Sequence, residues 1–281
     1  MSAPDDAAGD PTAGDGRTDA LDALAALAGE VATRAAAVLV DGLRRERTAV
    51  ATKSSSTDMV TEMDRAAEQL IAQGILAARP DDGLVGEEGT SRDGTSGVRW
   101  IIDPLDGTTN YLYGHAGFAV SVAAARGDEV LAGVVVDPLH GDTFAATRGR
   151  GATRNGAPVH CSAADDLATA LVATGFSYDP ARRGRQARVL AEVLPRIRDI
   201  RRMGAAAVDL CSVACGRVDA FWEKGLQPWD HAAGALIAAE AGARVGDLDG
   251  GPPSTAFTLA APAALFDELA ALLRAAGAAD A

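Results

Sequence analysis

The sequence predicts an α/β (α+β) protein of layered architecture, with sheets sandwiched by helices. Three observations carry this: a helical apolar stripe near the start, Val- and Ala-rich runs joined by turn residues in the first half, and short strands alternating with helices in the second. Residues 1–18, rich in Asp, Gly, Ala and Pro without a hydrophobic period, read as a disordered acidic tail. Residues 19–281 form the folded domain.

From Leu21 the residues Leu24, Ala28, Val31, Ala35 and Val38 recur at three- and four-residue steps, the stripe of a helix with one buried face. A second helix is expected over about 62–78, before Pro80. Val98 to Ile102 reads as a buried strand. Phe118 to Ala125 and Val130 to Val136 should pair as a hairpin across Gly127 and Asp128, Thr143 to Thr147 adds a strand, and Asn155-Gly156 marks a turn. Beyond these come a strand near Leu171, a helix over about 181–194, a strand near Ile200, a helix over 205–214 and a strand over 218–222. Helices at about 229–241 and 263–275 follow.

Of the 281 residues, 48% are hydrophobic and only 4% aromatic, so Ala, Val and Leu must fill the core. Lys and Arg number 26 against 39 Asp and Glu, a net charge of −13. Such a surface repels nucleic-acid backbones. Cys161, Cys211 and Cys215 neither complete disulfide pairs nor space as a zinc knuckle, and the start lacks a basic segment leading into an apolar run. A cytoplasmic chain with no membrane partner is expected.

The segment Trp100 to Asn110 is the most informative. A strand delivers Asp103 to its end, and Asp-Pro followed by Asp-Gly forces a turn, so Asp103 and Asp106 can converge. Glu87, in Gly86-Glu87-Glu88-Gly89, follows the apolar pair Leu84-Val85, and Asp230 lies at a helix start, where capping alone is worth about 1 kcal/mol. Hard divalent cations take carboxylate and carbonyl oxygens, which makes Glu87, Asp103, Asp106, Asp230 and the Leu105 carbonyl a plausible magnesium set.

Four blocks in order resemble the inositol monophosphatase family: Asp58 to Asp64, Gly86-Glu87-Glu88, Asp103 to Asn110, and Trp229 to Gly234 continuing to Glu240-Ala241-Gly242. The resemblance implies a five-layered αβαβα sandwich, in which two sheets alternate with three helical layers, and a magnesium-dependent phosphomonoesterase. It implies that Glu87, Asp103, the Leu105 main-chain oxygen, Asp106 and Asp230 hold Mg2+, that Gly107 and Thr108 receive phosphate, and that Asp64 works with Thr108 to orient a water. Lys53 stands at the position of a loop lysine near the metals. Glu223 aligns with a glutamate that contacts sugar-like hydroxyls, and Gly204-Ala205-Ala206 with a substrate-side turn, where Ala205 replaces a frequent Ser or Thr. Asp230 also faces substrate.

By the same resemblance the substrate is a small phosphorylated polyol, myo-inositol 1-phosphate first. Histidinol phosphate, fructose 1,6-bisphosphate and a 3′-phosphorylated nucleotide are the alternatives. Lithium inhibition and a homodimer are also implied. A non-catalytic regulator keeping the fold to bind a partner is the alternative from another class. Eight arginines between Arg182 and Arg202 suit either a solvated helix face with intersubunit ion pairs or a second phosphate.

Overall fold

A computed structural model describes the backbone of residues 12–49 and 56–281 and the side chains of residues 20–44 and 62–281. Helix α1 (Thr12–Ala49) packs beside α2 (Ser56–Ala78). Leu24, Ala28, Val31 and Ala35 of the expected stripe are buried and face the sheet, and Leu21 packs partly against the same core. At the far end Leu39 is buried, whereas Val38, expected in the stripe, is half-buried. Within α1, Ala20–Arg44 is long and apolar enough by composition to cross a membrane, with a mean hydropathy of 1.6. Its stripe is nevertheless committed to the core, as in the core helix of a globular domain.

Both helices start earlier than the sequence suggested. α1 reaches back to Thr12, into the segment expected to be a disordered tail, because extending an existing helix needs no new nucleus. Residues 1–11 and the loop lysine Lys53 lie outside the described residues.

The first sheet is built from β1 (Gly83–Gly86), β2 (Ser91–Arg92), β3 (Val98–Asp106), β4 (Ala119–Arg126), β5 (Glu129–Asp137), β6 (Asp142–Thr147), β7 (Ala152–Arg154) and β8 (Ala157–Val159). Their spatial order is β2-β1-β3-β4-β5-β6-β7-β8. Only β1 and β3 run parallel. The expected hairpin is β4–β5, and Asn155 and Gly156 turn β7 into β8 with φ of 52° and 78°, the two positive values of a tight hairpin turn. A short helix, α3 (Thr108–Tyr113), leaves the end of β3.

Alternation along β3 divides the core in two. Trp100 and Ile102 pack with α1 and α2, while Ile101 packs on the opposite face. That second face meets α5 (Ala206–Ala214) and α6 (Pro228–Glu240), which lie between the sheets. Small residues let them approach closely. A Cβ on Gly133 of β5 would stand 2.9 Å from Ala233 Cα on α6.

The second sheet comprises β9 (Leu171–Thr174), β10 (Asp199–Arg201), β11 (Ala220–Glu223), β12 (Ala243–Gly246) and β13 (Thr258–Pro262), in the order β10-β9-β11-β13-β12. Here β10, β9 and β11 run parallel, and β13 is antiparallel to both its neighbours. Phe221 faces α5 and α6, whereas Ala220 and Trp222 face the outer core with α4 (Pro180–Val193) and α7 (Ala263–Ala275). The layers therefore run α1/α2, sheet, α5/α6, sheet, α4/α7, the expected sandwich. The closing antiparallel strands β12 and β13 depart from the expected alternation. The Asp247 side chain makes the turn after β12, accepting from the amides of Asp249 (2.9 Å) and Gly251 (2.7 Å).

Candidate active site

In a regular strand, residues three apart point to opposite faces. Asp103 and Asp106 escape this rule because the β3–β4 register shifts between them: Asp103 pairs with Ser121, but Asp106 with Ala119. The extra residue is a bulge, and it brings both carboxylates to one cleft at the strand end. Asp103 Oδ1 accepts from the Leu105 amide at 2.9 Å, and the Thr108 hydroxyl donates to the Leu105 carbonyl at 3.2 Å. Gly107, between them, has φ 89°, and a Cβ there would meet the Gly117 carbonyl oxygen at 2.9 Å. Only glycine fits this turn.

The cleft encloses about 320 Å³. Glu87, Asp103, Leu105, Asp106, Gly107 and Thr108 line one wall; Gly204, Ala205, Ala206, Glu223 and Asp230 line another. Asp106 accepts from the amides of Ala206 at 3.2 Å and Ala207 at 2.7 Å, at the start of α5. The Ala206 amide is thus engaged by Asp106. Asp230 is not the helix cap itself but the third residue of α6, and its Oδ2 accepts from the Gln227 amide at 2.7 Å. It both caps and faces the cleft. Glu240 in the same family-like block accepts from the amides of Gly149 (2.8 Å) and Gly151 (2.9 Å), a structural role far from the cleft lining.

The charges in the cleft are unbalanced. Burial raises Asp103 and Asp106 well above the usual carboxylate range, with repulsion from Glu87 and Asp106 adding at Asp103 and from Asp230 at Asp106. Glu87 and Asp230 are raised too, mainly by desolvation. Among the described residues, no three His, Cys, Asp or Glu side chains already stand arranged to hold an ion. The donor chemistry nevertheless fits a hard divalent cation. Every candidate ligand is oxygen, and a cation would relieve the repulsion that forces protons onto these acids.

Asp64, on α2, is 3% exposed, and its Oδ1 has no hydrogen-bond partner. Desolvation, then Glu88, Glu87 and Glu68, push it up to about 8. It sits near Glu87 and Glu88, and the Thr108 hydroxyl is directed to the Leu105 carbonyl. His231, next to Asp230, is lowered to about 4 by desolvation.

The substrate end is mixed in charge. Burial pushes Glu223 up to about 7, with Arg202 and Arg182 pulling it down and Asp230 pushing it up. Its carboxylate lies over Gly175, where a Cβ would meet Oε2 at 2.0 Å. Arg182, Arg202 and Lys224 line the cleft as well. Tyr178 lies at its mouth, 75% exposed, with its hydroxyl 3.1 Å from the Thr109 hydroxyl.

Sequence reasoning missed two buried carboxylates that interact with the site's acids. Glu68 follows Asp64 by one helical turn, a spacing that puts both on one face of α2 and could have signalled it. Asp209 is 1% exposed behind the Gly204 turn, raised well above the carboxylate range by burial and by Glu223 and Asp106, with Arg202 and the Gly204 amide opposing. Its surroundings could have signalled it, since the run Ala205 to Ala214 is apolar or small on every side, as in a buried helix.

A cleft that gathers carboxylates beside a glycine-threonine turn is suited to hold cations and a phosphate together, and the chain's relatives place it among the phosphoric monoester hydrolases. The chain belongs to the inositol monophosphatase family, whose model matches residues 20–278. Inositol-1-monophosphatase SuhB of Mycobacterium tuberculosis is 44% identical over 237 residues, 80% of this chain and 82% of the relative. A relative from Escherichia coli named Nus factor SuhB is 42% identical over 203 residues, 72% of this chain and 76% of its own length. The solved structure of inositol monophosphatase from Anabaena superposes with a TM-score of 0.80 at 33% identity, covering 91% of this chain and 96% of that one.

Proposed function

We propose that this protein hydrolyses myo-inositol 1-phosphate to inositol and phosphate with the help of magnesium. The observation that carries the reading is the bulge after Asp103, which gathers Asp103, Asp106, the Leu105 carbonyl and Thr108 at one cleft opposite Glu223. Glu87, Asp103, the Leu105 carbonyl, Asp106 and Asp230 would hold the cations. Bound there, magnesium supplies neutralisation of the phosphate oxygens and a lowered pKa for the attacking water.

The chain's own groups do the rest. The Gly107–Thr108 turn seats the phosphate, with the Thr108 hydroxyl held in place by Leu105. Asp64, unpartnered at Oδ1, provides an acceptor on the Glu87 side for a water approaching the phosphorus. Glu223 accepts hydrogen bonds from the hydroxyls of the polyol ring, and Ala205 presents backbone alone. The name of the Anabaena relative supports the inositol phosphate assignment.

A second substrate reading has its own support. Arg182, Arg202 and Lys224 on the outer wall suit an alcohol with a second phosphate, such as fructose 1,6-bisphosphate. Histidinol phosphate and a 3′-phosphorylated nucleotide share the same acidic wall. The Escherichia coli relative's name also supports a partner-binding role on the same fold. Homodimer assembly and cytoplasmic residence belong to this reading, and a monomer in light scattering would remove the dimer.

The test is phosphate release from these four substrates with and without magnesium. Magnesium-dependent release that is fastest with inositol 1-phosphate is expected. Preference for the bisphosphate would transfer the assignment to the cationic wall.

A further inference from the structure

We propose that Glu68 is a positioning residue for the site: its carboxylate clamps the loop after β1 and so sets the place of Glu87. The inference deepens the reading of the carboxylate cleft and rests on it. Glu68 is 2% exposed on α2, outside the cleft lining. Its Oε2 accepts from the Glu88 amide at 2.9 Å and its Oε1 from the Thr90 amide at 2.8 Å. The two bonds bracket the loop that presents Glu87. Gly86 makes the approach possible, because a Cβ there would stand 2.2 Å from Glu68 Oε2.

The geometry argues for a carboxylate at this place. Glu68 is buried one helical turn after Asp64. A side-chain amide would offer its single oxygen to one of the two donors. Two backbone amides aimed at one side chain need two acceptor oxygens on a planar group, and glutamate offers them at this reach. The loop has other contacts. The Glu87 amide continues the β1–β3 pairing to the Ile102 carbonyl at 3.2 Å, which holds the loop's first residue to β3, and the Gly86 amide bonds within the loop to the Thr90 carbonyl at 2.7 Å. Toward α2, Glu88 reaches Arg65 at 3.5 Å across an exposed edge, so the buried hold on that side is Glu68. Outer groups that orient a ligand typically govern metal affinity by about 10- to 100-fold.

Glu68→Gln keeps the shape and one acceptor but turns an NH2 toward an amide donor. Two readouts separate positioning from bulk stability: magnesium binding by calorimetry without substrate, and hydrogen exchange at the Glu88 and Thr90 amides in the metal-free protein. The expected result is loss of protection at those amides and a magnesium affinity weaker by about tenfold or more. If Glu68→Gln does not fold, Glu68→Asp, one methylene too short to reach both amides, is read in the same way. Unchanged magnesium affinity in a folded variant, even with lowered melting temperature, overturns the proposal. Wild-type protein that binds no magnesium would instead overturn the reading of the cleft, so the two failures are distinguishable.

Discussion

The Asp106 carboxylate accepts from the Ala207 amide at 2.7 Å, joining the end of β3 in the first sheet to the helix that packs beneath the second. A residue of the acidic cleft is thereby also a tie between layers. Asp106→Ala leaves the buried amides of Ala206 and Ala207 without this acceptor, whereas Asp106→Asn keeps one oxygen for them. Asp106→Ala should be less stable than Asp106→Asn by about 1 to 3 kcal/mol in urea unfolding, with turnover lost in both. Equal stability of the two variants would show that the tie is dispensable.

Gly107→Ala tests the turn at the phosphate seat. Besides the Gly117 oxygen, a Cβ would meet Ala205 Cβ at 3.1 Å and Phe118 Cα at 3.2 Å, and the left-handed backbone adds about 1 to 2 kcal/mol. The turn must shift, and kcat/KM should fall by about 100-fold, the scale expected of a 1 Å misplacement. Activity near that of the parent would mean that phosphate is received elsewhere.

In the metal-free protein stability should decline as pH rises. Asp64 is pushed up to about 8 and Glu223 to about 7, so in the folded state each holds its proton through a range where the unfolded chain has released it. From about pH 4 to pH 8 the folded state binds more protons, and each unit of rising pH therefore costs stability. Melting temperature in a chelator should drop between pH 5.5 and 8, and magnesium should restore it at pH 8. A flat or rising profile in the chelator would contradict the uncompensated cleft.

Glu223→Gln probes specificity. Use of inositol 1-phosphate should weaken by about 1.5 to 3 kcal/mol, the worth of a charged hydrogen bond, while an aryl phosphate lacking ring hydroxyls is hydrolysed nearly unchanged. Equal losses on both substrates would assign Glu223 to the integrity of the wall it shares with Arg182 and Arg202.

Much of this was legible in the sequence because periodicity and turn chemistry are local. The stripe from Leu24 to Ala35, the β4–β5 hairpin and α7 at Ala263–Ala275 follow from spacing alone. The strands β12 and β13 were not legible, since each is short and owes its place to pairing with its neighbours in the sheet. The acidic blocks pointed to Asp103, Asp106, Glu87 and Asp230, and the cleft assembles all four. The second rank of charge was only partly legible. Glu68 one turn after Asp64 and Asp209 within an apolar helix carry signals of burial but not of the partners they meet. Arg182 and Arg202 are distinguished from their neighbours in the arginine run only by where α4 and the turn at Gly204 place them.

Lithium inhibition would add weight to the family's cation chemistry in this chain, but the most direct test is phosphate release from myo-inositol 1-phosphate by the parent protein and by Asp103→Asn. Asp103 is 1% exposed at the bulge, and Asn preserves its shape and its acceptor for the Leu105 amide. The account predicts no release in a chelator, full recovery with magnesium, and a loss of at least about a thousandfold in a folded Asp103→Asn, several kcal/mol of transition-state stabilisation. Release that persists in the chelator, or an Asp103→Asn variant within tenfold of the parent, would contradict it.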